Sequence, residues 1–112
     1  MPQVKVSLNT TATPPVTLDP NTCPVNPGKD SVRWVQDSQS PIKDFTFYSL
    51  TGLPDPPFDT PTKNQNQTEI STGDDNTSPG EYPYTVVVSY NGVQYSSAAS
   101  ITGGGGPTIK NN

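Results

Sequence analysis

The chain holds no histidine, one cysteine, one methionine and one tryptophan in 112 residues. Without imidazole, no serine or cysteine can be activated in the usual triad, so Ser31, Ser40 and their like are excluded as triad nucleophiles. A blue-copper centre is excluded too, since it needs two imidazoles and a thiolate. The lone thiol, Cys23, rules out an intrachain disulfide. Basic residues number six (Lys5, Lys29, Arg33, Lys43, Lys63, Lys110) against ten acidic ones, for a net charge of −4. They are scattered, so no basic stripe exists to release counterions from phosphates, and nucleic acid is excluded as a partner. No apolar run approaches the ~20 residues of a membrane span. Met1-Pro2-Gln3-Val4-Lys5-Val6 lacks the apolar stretch of a secretory leader, which makes the cytoplasm the default expectation. No segment carries an apolar period of 3.6 with caps, so essentially no helix is expected.

What is present is proline, glycine and small polar residues, with 14 Pro and 9 Gly. Apolar residues make up only 29% of the chain. That is close to the range of disordered proteins, but disorder also needs a high net charge, and the few apolar residues here alternate in short runs. A single domain over 1–112 with a thin core and long polar loops is expected, marginally stable by itself.

Val4, Val6 and Leu8 alternate with Lys5 and Ser7 as a half-buried strand. Val16-Thr17-Leu18, bracketed by Pro14-Pro15 and Pro20, reads as an extended piece at a sheet edge. Pro24, Pro27 and Gly28 mark a turn. Ser31–Gln36 follows as a strand with Val32 and Trp34 on one face, and Phe45–Tyr48 as another with Phe45 and Phe47 on one side. The proline-rich stretch 51–59 is expected to be irregular. A polar strand is expected around Gln67–Ser71, followed by a turn cluster from Gly73 to Gly80. Tyr84, Val86, Val88 and Tyr90 then alternate up to Asn91-Gly92, a type I′ hairpin signal continued by Val93 and Tyr95. This turn pairs Tyr90 with Val93 and Val88 with Tyr95, and sets Val86 against Ser97 and Tyr84 against Ala99. Gly103–Gly106 reads as a flexible joint before a short last strand, Pro107–Lys110. About seven short strands with frequent turns predict an all-β chain, an antiparallel β-sandwich.

Two segments together resemble the cupredoxins. Pro27-Gly28-Lys29-Asp30-Ser31-Val32-Arg33-Trp34-Val35-Gln36 is similar to the stretch in which a Gly-Asp turn opens a strand carrying a Trp. Pro79-Gly80-Glu81-Tyr82-Pro83-Tyr84-Thr85-Val86 is similar to the later strand that runs to the copper-binding Cys. The same residues resemble an immunoglobulin-like sandwich, in which Tyr82 is the corner tyrosine and Trp34 the core tryptophan. The copper chemistry does not carry over: Val86 stands where the resemblance puts the Cys, and Asp37, Ser38, Gln39 and Ser40 follow the Trp strand. Asp19-Pro20 and the ending Gly106–Asn111 also resemble the small bacterial DP-EP proteins, a likeness that implies a fold and a bacterial origin but no activity.

Few residues are candidates for chemistry. Asp74, Asp75 and Asn76, beside Gly73, offer hard oxygen ligands in a turn and are weak calcium candidates, although their spacing is not that of an EF-hand. A solvated turn is the plainer reading. Asp55 with Asp59, or Glu69 with Asp74, are the available carboxylate pairs for hydrolysis, but proline-rich loops hold such groups poorly. Cys23 has no base beside it and reads as a small buried side chain. Tyr48, Tyr82, Tyr90 and Tyr95 are core residues or platforms for a carbohydrate or protein partner. Asn9, Asn66 and Asn76 open glycosylation sequons, which chance supplies in a chain rich in Asn, Thr and Ser. Trp34, Tyr82, Tyr84, Val86, Val88, Asn91 and Gly92 are expected to carry the structure. The functional expectation is a non-enzymatic binding or structural module without a cofactor, capable of self-association through open sheet edges. The alternative is a module stabilised by calcium at Asp74–Asn76.

Overall fold

In a computed structural model, residues 2–11, 15–55, 57–76, 79–97 and 107–111 are described. Among them the strands are β1 Gln3–Leu8, β2 Val16–Asp19, β3 Thr22–Val25, β4 Asp30–Gln36, β5 Thr46–Thr51, β6 Thr62–Lys63, β7 Glu69–Asp74, β8 Gly80–Pro83, β9 Thr85–Tyr90, β10 Val93–Ser96 and β11 Thr108–Asn111. No helix forms among these residues. The chain is all-β.

Alternation decides what each strand buries. In β1, Val4, Val6 and Leu8 point inward while Gln3 and Lys5 face solvent. Val32 and Trp34 do the same on β4, and Val86 and Val88 on β9. Pairing arranges the strands as a five-stranded sheet β2-β1-β4-β7-β6 and two three-stranded sheets, β10-β9-β5 and β3-β11-β8. Their buried rows meet in one apolar cluster.

The β9–β10 hairpin forms in the expected register, Tyr90 opposite Val93 and Val88 opposite Tyr95. Asn91 and Gly92 have φ of 52° and 77°, the left-handed pair a type I′ turn demands. Ser97 follows the register too: its N–H donates to Val86 O and its hydroxyl accepts from Val86 N, each at 2.8 Å. Ala99 and Gly103–Gly106 lie outside the described residues.

Three expectations are corrected. The described strands number eleven rather than about seven. The sheets are mixed rather than antiparallel, because β1 runs parallel to β4 and β11 parallel to β3. Pro24 lies inside β3 instead of in a turn with Pro27 and Gly28, with Cys23 and Val25 buried on either side of it. A strand tolerates that proline because β3 is an edge strand and its outer side needs no donor.

The core is joined across the sheets by Trp34 and Tyr84. Their rings meet edge-on with centroids 5.4 Å apart, and Trp34 Nε1–H donates to the Tyr84 hydroxyl at 2.9 Å. Phe45 and Phe47 make a second edge-on pair at 5.9 Å. Burial pushes the Tyr84 phenol well above its ordinary 10, more than the Trp34 donor lowers it, with nearby Cys23 adding to the rise. The folded state therefore keeps this phenol neutral while the unfolded chain ionises. The contribution is intact below about pH 10 and is lost as pH rises from there toward the folded value. Unfolding free energies from urea titrations between about pH 9 and 11.5 should fall above pH 10, by up to ~1.4 kcal/mol per pH unit. Tyr84→Phe should flatten that limb, and an equally steep limb in the variant would remove the assignment.

Candidate functional site

Side chains on the outer faces of β4 and β7 alternate with the core row and are nearly all polar. Register sets Ser31 opposite Gly73, Arg33 opposite Ser71 and Val35 opposite Glu69, with Thr62 of β6 next to Ser71. Arg33 Nε bonds Glu69 Oε1 across the two strands. The segment leading into β6 forms a wall over this surface. Asp59 N–H donates to Gly73 O at 2.8 Å, and Thr72 Oγ1 donates to Asp59 O at 2.6 Å. Val35 apart, these residues line an open groove of about 320 Å³, with Thr60 also on its wall.

Gly73 matters here for space. A Cβ at that position would lie 2.3 Å from Asp59 Oδ2, so only glycine lets the carboxylate settle over the strand. Thr60 also borders a second hollow of about 230 Å³ between β5 and β6, lined by Tyr48, Leu50, Pro61, Lys63 and Ile70. Tyr48 is 54% exposed, and Lys63 Nζ donates to its carbonyl at 3.2 Å. The β5 register shifts between Phe47 and Ser49. Such a bulge re-aims the side chain it carries. The two hollows share Thr60 but lie on opposite faces of the β6–β7 ladder, the polar groove on the side of Thr62 and Ser71 and the more apolar hollow, with the Tyr48 ring, on the side of Lys63 and Ile70.

A second polar cluster sits at the far end of β7. Asp74 is almost wholly buried, and its Oδ1 accepts from Asn76 N–H at 2.8 Å and Asn111 Nδ2 at 3.1 Å. Asn76, at φ 46°, donates from Nδ2 to the carbonyls of Val25 (3.2 Å) and Asn26 (2.7 Å). Asp75 turns away, its carboxylate 3.9 Å from Lys29 Nζ. Among the described residues, no three His, Cys, Asp or Glu side chains converge as a metal-binding group.

No protein-family model and no curated protein matches the chain.

The two proposed carboxylate pairs are not assembled as catalytic pairs. Glu69 and Asp74 are five residues apart on β7, so they point to opposite faces, Glu69 into the groove and Asp74 into the interior. Asp55 sits exposed in the proline-rich loop, outside the residues that line the groove with Asp59. Cys23 is 2% exposed and burial raises its thiol pKa, the reverse of activation. Ser40 is buried as a loop clamp, its Oγ accepting from Leu8 N–H at 2.9 Å. Of the tyrosines considered as platforms, Tyr48 is exposed, while Tyr82, Tyr90 and Tyr95 pack partly against the core. Arg33, Thr62, Ser71 and Asn111 were not singled out by the sequence. For Arg33 and Ser71 the signal was there, two polar half-strands of period two whose pairing brings them together; Thr62 lies on the two-residue β6, which carries no period.

Proposed function

We propose that this chain is a non-catalytic binding module, a β-sandwich of cupredoxin-like or immunoglobulin-like build, and that its ligand is a carbohydrate chain lying in the groove over β4, β7 and β6 and reaching Tyr48 past Thr60. The meeting of three buried sheet faces in one cluster and the position of Trp34 opposite Tyr84 support the sandwich reading. The observation that carries the function is the groove itself, hydroxyls of Ser31, Thr60, Thr62 and Ser71 around the Arg33–Glu69 pair and Asp59, with Tyr48 in the neighbouring hollow that shares Thr60. A sugar hydroxyl both donates and accepts, which such a mixture of guanidinium, carboxylate and hydroxyl groups can satisfy. The apolar face of a pyranose suits the flat, amphipathic Tyr48 ring. An open, pre-formed surface of this size suits a few residues of a linear chain.

Calorimetric titration with linear cello-, xylo-, chito- and malto-hexasaccharides tests the reading. At least one should bind, and Tyr48→Ala should weaken it roughly tenfold, the equivalent of ~1.4 kcal/mol. Gly73→Ala should also abolish or strongly weaken binding with little change in melting temperature. The new methyl displaces only the free end of Asp59, whose backbone is held by Gly73 and Thr72. Absence of binding to all four, or unchanged affinity in both variants, would overturn the proposal.

A further inference from the structure

The Asp74 cluster contains three buried side-chain oxygens left over by its hydrogen bonds to the described residues. Asp74 Oδ2, Asn76 Oδ1 and Asn111 Oδ1 have no hydrogen-bond partner among the described residues. Asp74 and Asn111 are themselves 1% and 2% exposed. The amide orientations are fixed by their other ends: Asn76 Nδ2 faces two carbonyls and Asn111 Nδ2 faces Asp74 Oδ1. Both remaining amide atoms are therefore acceptors, as is the second carboxylate oxygen. No basic side chain among the described residues pairs with Asp74. A buried carboxylate with an idle oxygen and two idle amide oxygens beside it is costly unless something positive is shared among them.

We propose that Asp74, Asn76 and Asn111 form a site for a hard divalent cation, calcium by its chemistry. Calcium accepts carboxylate and neutral amide oxygens in irregular arrangements, whereas magnesium demands a near-octahedral shell and keeps its waters. A single carboxylate places the affinity in the weak range, on the order of 10⁻⁴–10⁻³ M. The ligand set differs from the turn triplet Asp74–Asn76, since Asp75 faces Lys29 and the third ligand comes from the last strand. Asn111 is the register partner of Val25, whose carbonyl Asn76 holds, so the cation ties the end of β7 to β11 and β3. It thereby fastens the three-stranded sheet to the five-stranded one.

Thermal melts of the full chain in about 10 mM CaCl₂, against EDTA with NaCl at matched ionic strength, should show a rise of roughly 5 °C. MgCl₂ should give a smaller rise, and Asp74→Asn and Asn111→Ser should each remove the calcium effect. Independently of any variant's ability to fold, the side-chain NH₂ resonances of Asn76 and Asn111 in the unaltered protein should shift saturably with calcium. Absence of both the rise and the saturable shifts would overturn the site, as would an undiminished rise in both variants. The groove's ligand plays no part in either readout.

Discussion

Trp34→Ala should leave little folded protein at room temperature. Trp34 is fully buried on β4, the central strand of the five-stranded sheet, paired with Val4 on one side and Ile70 on the other. Truncating a buried Trp costs about 3–5 kcal/mol in lost transfer energy and cavity. Small domains have only about 5–15 kcal/mol in total, and a chain with 29% apolar residues has little reserve. The indole is also the only described hydrogen-bond donor to the Tyr84 hydroxyl, so the variant strands that group in the interior. A cycle of Trp34→Phe, Tyr84→Phe and the double variant separates the two effects. Each single change leaves one polar group unpaired, whereas the double change removes both, so the double variant should be more stable than the sum of the singles implies, by about 0.5–3 kcal/mol. Urea unfolding followed by circular dichroism measures it. Strict additivity would mean that the bond contributes nothing.

Phe58→Ala should be nearly as damaging, at about 3–5 kcal/mol, although its neighbourhood is a proline-rich loop. Phe58 is completely buried and meets Tyr82 edge-on, ring centroids 5.1 Å apart. Its N–H donates to Pro54 O at 3.0 Å, and it forms a bridge with Asp74, so the loop turns back on itself to insert the ring. Removing that ring frees the segment that carries Asp59 and Thr60. The same variant should therefore lose oligosaccharide binding at temperatures where it still folds. A melting temperature within about 2 °C of the unaltered protein would show that the ring does not anchor the loop.

Phe58 also shows where sequence reading fails. Three prolines nearby hide an isolated aromatic from any periodicity, because a single inserted ring has no period. The hairpin around Asn91-Gly92 was legible to the residue, since turn chemistry and alternation specify the same register. Val4, Val6, Leu8, Val32 and Trp34 were legible as core for the same reason. What alternation cannot tell is which strand lies beside which. The parallel pairings of β1 with β4 and β3 with β11 join segments far apart in the chain, and nothing local encodes them. The two sites inherit this limit. Asp74 and Asn76 stood out as oxygen donors in a turn, but Asn111, 37 residues from Asp74, joins them only through tertiary pairing. Ser31 and Arg33, likewise, are ordinary exposed positions until β7 and β6 are laid beside them.

Amide NMR of the ¹⁵N-labelled chain titrated with the four hexasaccharides tests the binding surface most directly. The account predicts shifts confined to Ser31 and Arg33 on β4, Tyr48, the 59–63 wall and the Glu69–Gly73 face, with Val4–Leu8 and the Asn91-Gly92 turn unmoved. Shifts centred on the hairpin or on β1, or none with any sugar, would contradict it.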